Sequence, residues 1–246
     1  MQEQEQQHCL ESKENNNVSL YDNKMIKQTI KNIFSALGLE IRKKIHAPLN
    51  DSVAYNSKEN TDKFYSDEKL VSNYENENRI SFYAEIVNDL PKAIDFEKIN
   101  SIVDVSAGTG RLLKEFQNKF PNKKYLGFEF SDSALKLCKI NCPNISFVKA
   151  DLYKGIEQKF DFVLCVDTLE HLEHPELAIS NMLKMLNAGG HLCLIVPNGR
   201  HDKFEGHIHY WSPESFKLFI EKNNCTVKYS QVWNKYVEQC VIAQPK

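Results

Sequence analysis

Three ionisable side chains stand close together in the run "VDTLEHLEHPELAI": Asp167, Glu170 and His171. If the segment from Asp167 is helical or turn-like, Glu170 and His171 follow it at i+3 and i+4, on one face. A histidine titrates near neutrality, so His171 suits a general base that takes a proton from a hydroxyl or ammonium. The same acid, glutamate and histidine also form a ligand set for a divalent cation. A third reading is structural, with Glu170 and His171 capping and packing. A second histidine group occurs in "FEGHIHYWSPESF". On an extended segment His207 and His209 face one way, with Ile208 and Tyr210 opposite. His207 is expected at the acceptor site or as a further metal ligand, against the plainer reading of a solvated loop histidine. Tyr210, Trp211, Phe64, Tyr65 and Tyr74 line an apolar acceptor pocket or lid, or else belong to the core.

A second stretch, "SIVDVSAGTGRLLKEF", has an apolar run ending at Asp104, a cluster of small residues, then a helical pattern. Gly108 lets backbone approach a ligand, and Gly110 opens a helix whose N-terminus attracts a carboxylate or phosphate. The next strand-like run ends "YLGFEF", with Glu129 at its tip. An acid there suits a ribose diol, because it accepts two hydroxyl hydrogens. The two features together imply a nucleoside-containing ligand. Leu113 stands where a dinucleotide loop has its third glycine, which argues against a pyrophosphate.

These residues need a scaffold that brings strand ends together. Apolar runs at 101–105, 124–130, 145–149, 160–166, 190–196, 226–233 and 237–243 read as strands. Helical patterns lie at 110–120, 131–140, 174–187 and 213–223, the last with Ser212 as N-cap and Pro213 at the first helical position. The alternation predicts an α/β fold, a doubly wound, mostly parallel seven-stranded sheet. Only "NKY" separates the last two strands, so they form an antiparallel hairpin. In such a sheet ligands bind beyond the carboxyl ends of the strands. Upstream is an N-terminal helical extension. Residues 1–18 read as a disordered tail, 19–63 as a helix (20–45) followed by a polar linker (46–63), and 79–90 as an amphipathic helix ended by Pro91. The basic amphipathic helix 20–45 packs on the main domain or across a homodimer; a membrane surface or a partner is its other reading.

The pattern of an acid, spaced small residues and an acidic second strand tip resembles the class I S-adenosylmethionine-dependent methyltransferases of the small-molecule type. The resemblance continues in "FVKADL", "FDFVLCVDTLEHL" and "LNAGGHLCLIVPN" and covers about residues 79–243. It implies S-adenosylmethionine as cofactor, with 64–246 as the methyltransferase domain and its N-terminal helices as a lid. By that resemblance Asp104 organises the loop, Ser106 replaces the usual first glycine, Gly108 faces the methionine part, and Gly110 belongs to the same cofactor-binding loop. Glu129, with Phe130 beside it, holds the ribose. Asp151 takes the adenine amine with Leu152 beside the ring, and the carbonyl of Asp167 lies near the methionine amino group. Catalysis then falls to His171, His207 and Glu170. The acid-x-x-Glu-His order also resembles magnesium-dependent ubiquinone-pathway O-methyltransferases and small-RNA 2′-O-methyltransferases.

The expected function is methyl transfer to oxygen or nitrogen of a small-molecule acceptor. Metal-assisted RNA 2′-O-methylation and a non-catalytic cofactor-binding scaffold are the alternatives. A formal net charge of −2 over 246 residues, with no basic stripe, argues against nucleic acid. Nothing approaches a membrane span. Seven scattered cysteines, an odd number, point to a reduced, cytoplasmic protein.

Overall fold

A computed structural model describes residues 56–246 of the chain. The tail and helix expected before residue 56 lie outside the described residues. Three helices come first: α1 (Lys58–Ser66), α2 (Glu68–Tyr74) and α3 (Glu77–Ala93). Then follow β1 (Ser101–Asp104), α4 (Arg111–Lys119), β2 (Lys124–Glu129), α5 (Asp132–Asn141), β3 (Ser146–Lys149) and β4 (Phe160–Val166). The chain ends with α6 (Pro175–Lys184), β5 (Leu186–Pro197), α7 (Pro213–Lys222), β6 (Cys225–Trp233) and β7 (Glu238–Pro245).

The seven strands form one sheet in the order β3-β2-β1-β4-β5-β7-β6. Strands β1 to β5 pair in parallel, while β7 inserts antiparallel between β5 and β6. This is the expected doubly wound sheet with its closing hairpin. The order reverses between β1 and β4, which puts the tips of β1, β2 and β4 around one crevice.

Side chains alternate across the sheet with period two. Ile102, Phe162, Leu164 and Ile195 face one buried layer with Phe82, Ile86 and Leu90 of α3 and Leu113 and Phe116 of α4. Val103, Val163, Cys165 and Leu194 face the other, with Ile179 and Met182 of α6 and Phe216 and Ile220 of α7. Both faces are covered, so the parallel strands read as near-continuous apolar runs.

Three local expectations are corrected. Residues 58–63, expected as linker, are the first part of α1. Its sequence KENTDKFYS has little apolar content, but Ser57 caps it by accepting from the Asn60 amide at 3.2 Å, and Asp62 fastens it to α5. Pro91 does not end its helix, which runs on to Ala93. A proline lacks the amide that would satisfy the carbonyl four residues back. Here Lys119 Nζ takes that carbonyl, Val87 O, at 3.3 Å and also bonds Asn88 Oδ1 at 2.6 Å. Finally, α6 stops at Lys184, and Leu186 already pairs with Phe160 in β5, before the register shifts to Phe162 and His191.

Candidate active site

The small-residue loop after β1 has the expected backbone. Gly108 and Gly110 hold φ of 55° and 81°. A Cβ on Gly110 would stand 2.9 Å from Phe147 Cζ, so that position is closed to larger residues by both strain and space. Gly110 is the N-cap of α4. Ser106 lies outside the positive-φ residues, which explains why a serine is tolerated there. Its amide donates to Asp104 Oδ1 at 3.1 Å, and its hydroxyl to the Val166 carbonyl at 3.5 Å, joining the loop to the tip of β4. Asp104 is 3% exposed, and burial pushes its carboxyl up to about 7.

Glu129 is buried at the tip of β2 and turns its carboxylate across the loop. Oε2 accepts from the Gly108 amide at 2.8 Å; Oε1 accepts from Phe130 and Ser131 amides at 2.8 and 2.9 Å. A carboxylate has about four acceptor sites, so the group stays available to a hydroxyl. Burial raises its pKa against these three donors. Phe130 thus contributes its amide. Asp151 stands farther out: it accepts from the Tyr153 amide at 3.0 Å and lies 3.7 Å from Lys154 Nζ. Leu152 opens the short 3-10 turn Leu152–Lys154, and its carbonyl is held by Asn181 Nδ2 at 2.7 Å.

The N-terminal helices are fastened over these strand tips. Asp62 of α1 accepts from Ser131 Oγ at 2.6 Å and from the Ser133 amide at 3.1 Å. Tyr65 Oη would stand 3.0 Å from a Cβ on Gly108. Glu75 bonds the Thr109 hydroxyl and, at 3.0 Å, Arg111 Nε. Arg79 of α3 pairs with Asp167 and stacks 4.8 Å over the Tyr74 ring. Of the aromatic residues noted in the sequence, Phe64 packs edge-on against Tyr65 and Tyr74, whereas Trp211 stacks on Phe219 and belongs to the core side.

After β4 the chain turns sharply. Asp167 has φ 48°, and Leu169–His171 form a 3-10 turn. The turn separates the four expected partners. Asp167 goes to the Arg79 guanidinium, with Glu238 Oε1 3.9 Å from the same nitrogen. Glu170, His171 and His207 come together, with one ligand atom from each lying within 4.8 Å of the others. The Glu170 carbonyl accepts from the Ile208 and His209 amides at 2.9 and 3.2 Å, which brings the histidine loop to the turn. His171 Nδ1 bonds the Gly206 carbonyl at 3.2 Å, and His207 Nδ1 bonds Asp202 Oδ2 at 2.5 Å. A carbonyl has no proton to give, so His171 Nδ1 is the donor and Nε2 keeps its lone pair. By the same logic an ionised Asp202 leaves His207 Nε2 free. The two Nε2 atoms stand 3.9 and 3.8 Å from Glu170 Oε1, and neither Glu170 oxygen has a hydrogen-bond partner. Burial, then the charge of Asp167, holds the Glu170 carboxyl far above its usual range; burial, then His207, lowers His171 to about 4.

Ile208 and Tyr210 lie on the side opposite the histidines and are exposed, so Tyr210 is not in the core, yet the two histidines part company. His209 bonds the Leu172 carbonyl at 2.8 Å and stacks on Trp211, so it supports the loop. Sequence reasoning missed Arg79, Asp202 and Glu238. Arg79 and Glu238 come from distant segments, and Asp202, though only five positions from His207, sits in an irregular loop with no periodicity to betray it.

A family model described as a methyltransferase domain matches residues 75–230. Over 105 residues the chain is 31% identical to the ubiquinone/menaquinone biosynthesis C-methyltransferase of Ectopseudomonas mendocina, which covers 39% of this chain and 41% of that protein. The match thus spans about two fifths of the curated relative's length. Among solved structures, human N-acetylserotonin methyltransferase in complex with S-adenosylmethionine superposes with TM-score 0.56 at 14% identity, over 78% of this chain and 57% of that one. Magnesium protoporphyrin IX methyltransferase from Synechocystis PCC 6803, with bound S-adenosylhomocysteine, gives 0.55 at 14%, over 69% and 84%. The family match covers more than half of the chain and agrees with the sheet order, and on these two findings the chain belongs to the class I S-adenosylmethionine-dependent methyltransferases.

Proposed function

We propose that the chain transfers a methyl group from S-adenosylmethionine to an oxygen or nitrogen of a small-molecule acceptor, with His171 as the proton acceptor. The observation that carries this is the convergence of Glu170, His171 and His207 after β4, on the strand-tip edge that also holds Asp104, Gly108 and Glu129. The cofactor supplies an electrophilic methyl on a sulfonium. The residues fit that group: Gly108 and Gly110 hold the positive φ of a tight loop at a helix N-terminus, and Glu129 offers a carboxylate to a sugar hydroxyl.

The chain's own part is then orientation, exclusion of water and proton removal. Tyr65, Glu75 and Arg79 hold the N-terminal helices across the crevice. His171 is neutral at pH 7 because burial lowers it, so Nε2 is ready to accept a proton as the methyl arrives. The imidazolium so formed faces Glu170 and keeps its Nδ1 bond to Gly206.

A second reading is favoured by one specific feature. Two histidine nitrogens and an acid group with no hydrogen-bond partner converge on one spot, the arrangement a divalent cation takes from two histidines and an acid once it displaces the acid's proton. The Nδ1 bonds of His171 and His207 to a carbonyl and a carboxylate match the outer support such ligands need. A cation there would activate an acceptor oxygen by holding it, and Glu170 and both histidines would be ligands.

Mass-spectrometric screening of phenols, amines, sugars and short RNAs for methyl uptake tests the activity and identifies the acceptor. Alanine at His171 abolishes turnover and spares S-adenosylhomocysteine binding if the site is catalytic. Full turnover by that variant overturns the assignment of His171. Exhaustive chelation separates the two readings: undiminished activity removes the cation.

A further inference from the structure

Three side chains on one face of α5 and its C-cap meet three consecutive carbonyls of the loop after β1. The Cys138 thiol donates to Gly108 O at 3.1 Å, Asn141 Nδ2 to Thr109 O at 3.1 Å, and the Cys142 thiol to Gly110 O at 3.3 Å. The spacing 138, 141, 142 is i, i+3, i+4, so one helix face carries all three donors. Both cysteines are buried, and burial raises both thiols, so each keeps its proton at neutral pH.

In a trans peptide the carbonyl and the next N–H point in opposite directions. Holding the carbonyls of 108, 109 and 110 toward α5 therefore turns the amides of Thr109, Gly110 and Arg111 away from it. The Gly110 amide is taken by Ala107 O at 2.7 Å. Those of Thr109 and Arg111 flank the positive end of α4, where a carboxylate is favoured. Glu129 also holds the Gly108 amide, and the Lys114 amide also bonds Gly110 O at 3.1 Å; the clamp adds the restraint on the remaining freedom of two glycines that a ligand would otherwise have to order on binding.

We infer that Cys138, Asn141 and Cys142 are positioning residues for the cofactor: their three donors preset the 108–110 loop that receives the carboxylate end of S-adenosylmethionine. This rests on the reading that the loop takes that cofactor. Neither cysteine attacks or exchanges anything; each acts through one backbone carbonyl.

The test is calorimetric titration of the full chain with S-adenosylhomocysteine. Alanine at 138 or 142 removes the donor, whereas serine keeps a hydroxyl donor in nearly the same volume. Half-exposed Asn141 gives a third site whose replacement leaves the core intact, as Asn141→Ala or Asn141→Asp. Each donor-free variant, Asn141→Asp included, should weaken binding about fivefold, the worth of one hydrogen bond. The serine variants should stay within about twofold of the parent. A merely structural role would lower the ligand-free melting temperature and leave the Kd in place. Equal Kd values for parent, alanine and serine variants overturn the positioning role. No uptake by the parent chain removes the cofactor reading and this inference with it.

Discussion

His207 is bound through Nδ1 to Asp202 at 2.5 Å, five positions away on the loop after β5. The bond fixes which nitrogen carries the proton and leaves Nε2 turned toward Glu170 at 3.8 Å. Burial pushes the Asp202 carboxyl up, but the His207 bond and charge and the Phe204 and Lys203 amides together hold the group below its ordinary value. Asp202→Asn keeps the shape and frees the tautomer. Turnover should fall about tenfold to a hundredfold, the usual cost of losing such an orienting partner. Thermal melts run alongside should stay within a few degrees, so that the loss reads as chemistry. Unchanged kcat would show that the His207 tautomer does not matter.

The buried Arg79–Asp167 pair makes a second prediction. Asp167 and Glu238 face one guanidinium, and Asp167 Oδ1 and Glu238 Oε2 have no hydrogen-bond partner. Burial would lower the arginine, and Asp167, Tyr74, Tyr83 and Glu238 together more than offset that, so it stays charged. Arg79→Met leaves the acids without their cation and should cost about 3–5 kcal/mol in denaturant unfolding. Lysine should recover part of that, because an ammonium cannot reproduce the planar stacking on Tyr74. A methionine variant as stable as the parent would mean that the acids are already neutral.

Asp104 carries the pH prediction. Burial raises its folded value to about 7, with the charges of Glu129 and Asp167 acting in the same direction and the Ser106 amide against it. An unfolded aspartate releases its proton near pH 3.8. The group's contribution to stability is therefore fully present below that pH and is lost as pH rises through about 7. Asp104→Asn has no such dependence and can still accept from the Ser106 amide. Its melting temperature should match the parent's near pH 4 and exceed it by several degrees at pH 8. A constant gap across that range would remove burial as the cause.

The strand tips and their loop were legible because local patterns encode them. Short, near-continuous apolar runs set the strands, and Gly108 and Gly110 mark positive φ by residue type alone. The cluster of Glu170, His171 and His207 was half legible. The first two are adjacent, but the third arrives only because Ile208 and His209 amides bond the Glu170 carbonyl. Asp167 looked like a fourth member by its i+3 and i+4 spacing, and went elsewhere because the 3-10 turn begins after it and Arg79 reaches it from α3. Helix α1 escaped notice since its apolar content is low and Asp62 and Ser131, far apart in sequence, hold it down. What the sequence hides here is long-range pairing of polar groups, which has no periodicity to read.

Pro91 and Lys119 give the last prediction, a test of how a helix survives a proline near its end. Val87 O would be left without a partner by Pro91, and Lys119 Nζ reaches it from α4 at 3.3 Å. Lys119→Met withdraws that donor and should lower the melting temperature by about 2–4 °C, the effect of one such hydrogen bond in a domain of this size. Pro91→Ala restores an amide that can bond Val87 O along the helix. In the Pro91→Ala background, Lys119→Met should then cost much less, so the two changes are not additive. If the lysine substitution costs the same in both backgrounds, the ammonium is acting through Asn88 Oδ1 at 2.6 Å and not through the orphaned carbonyl.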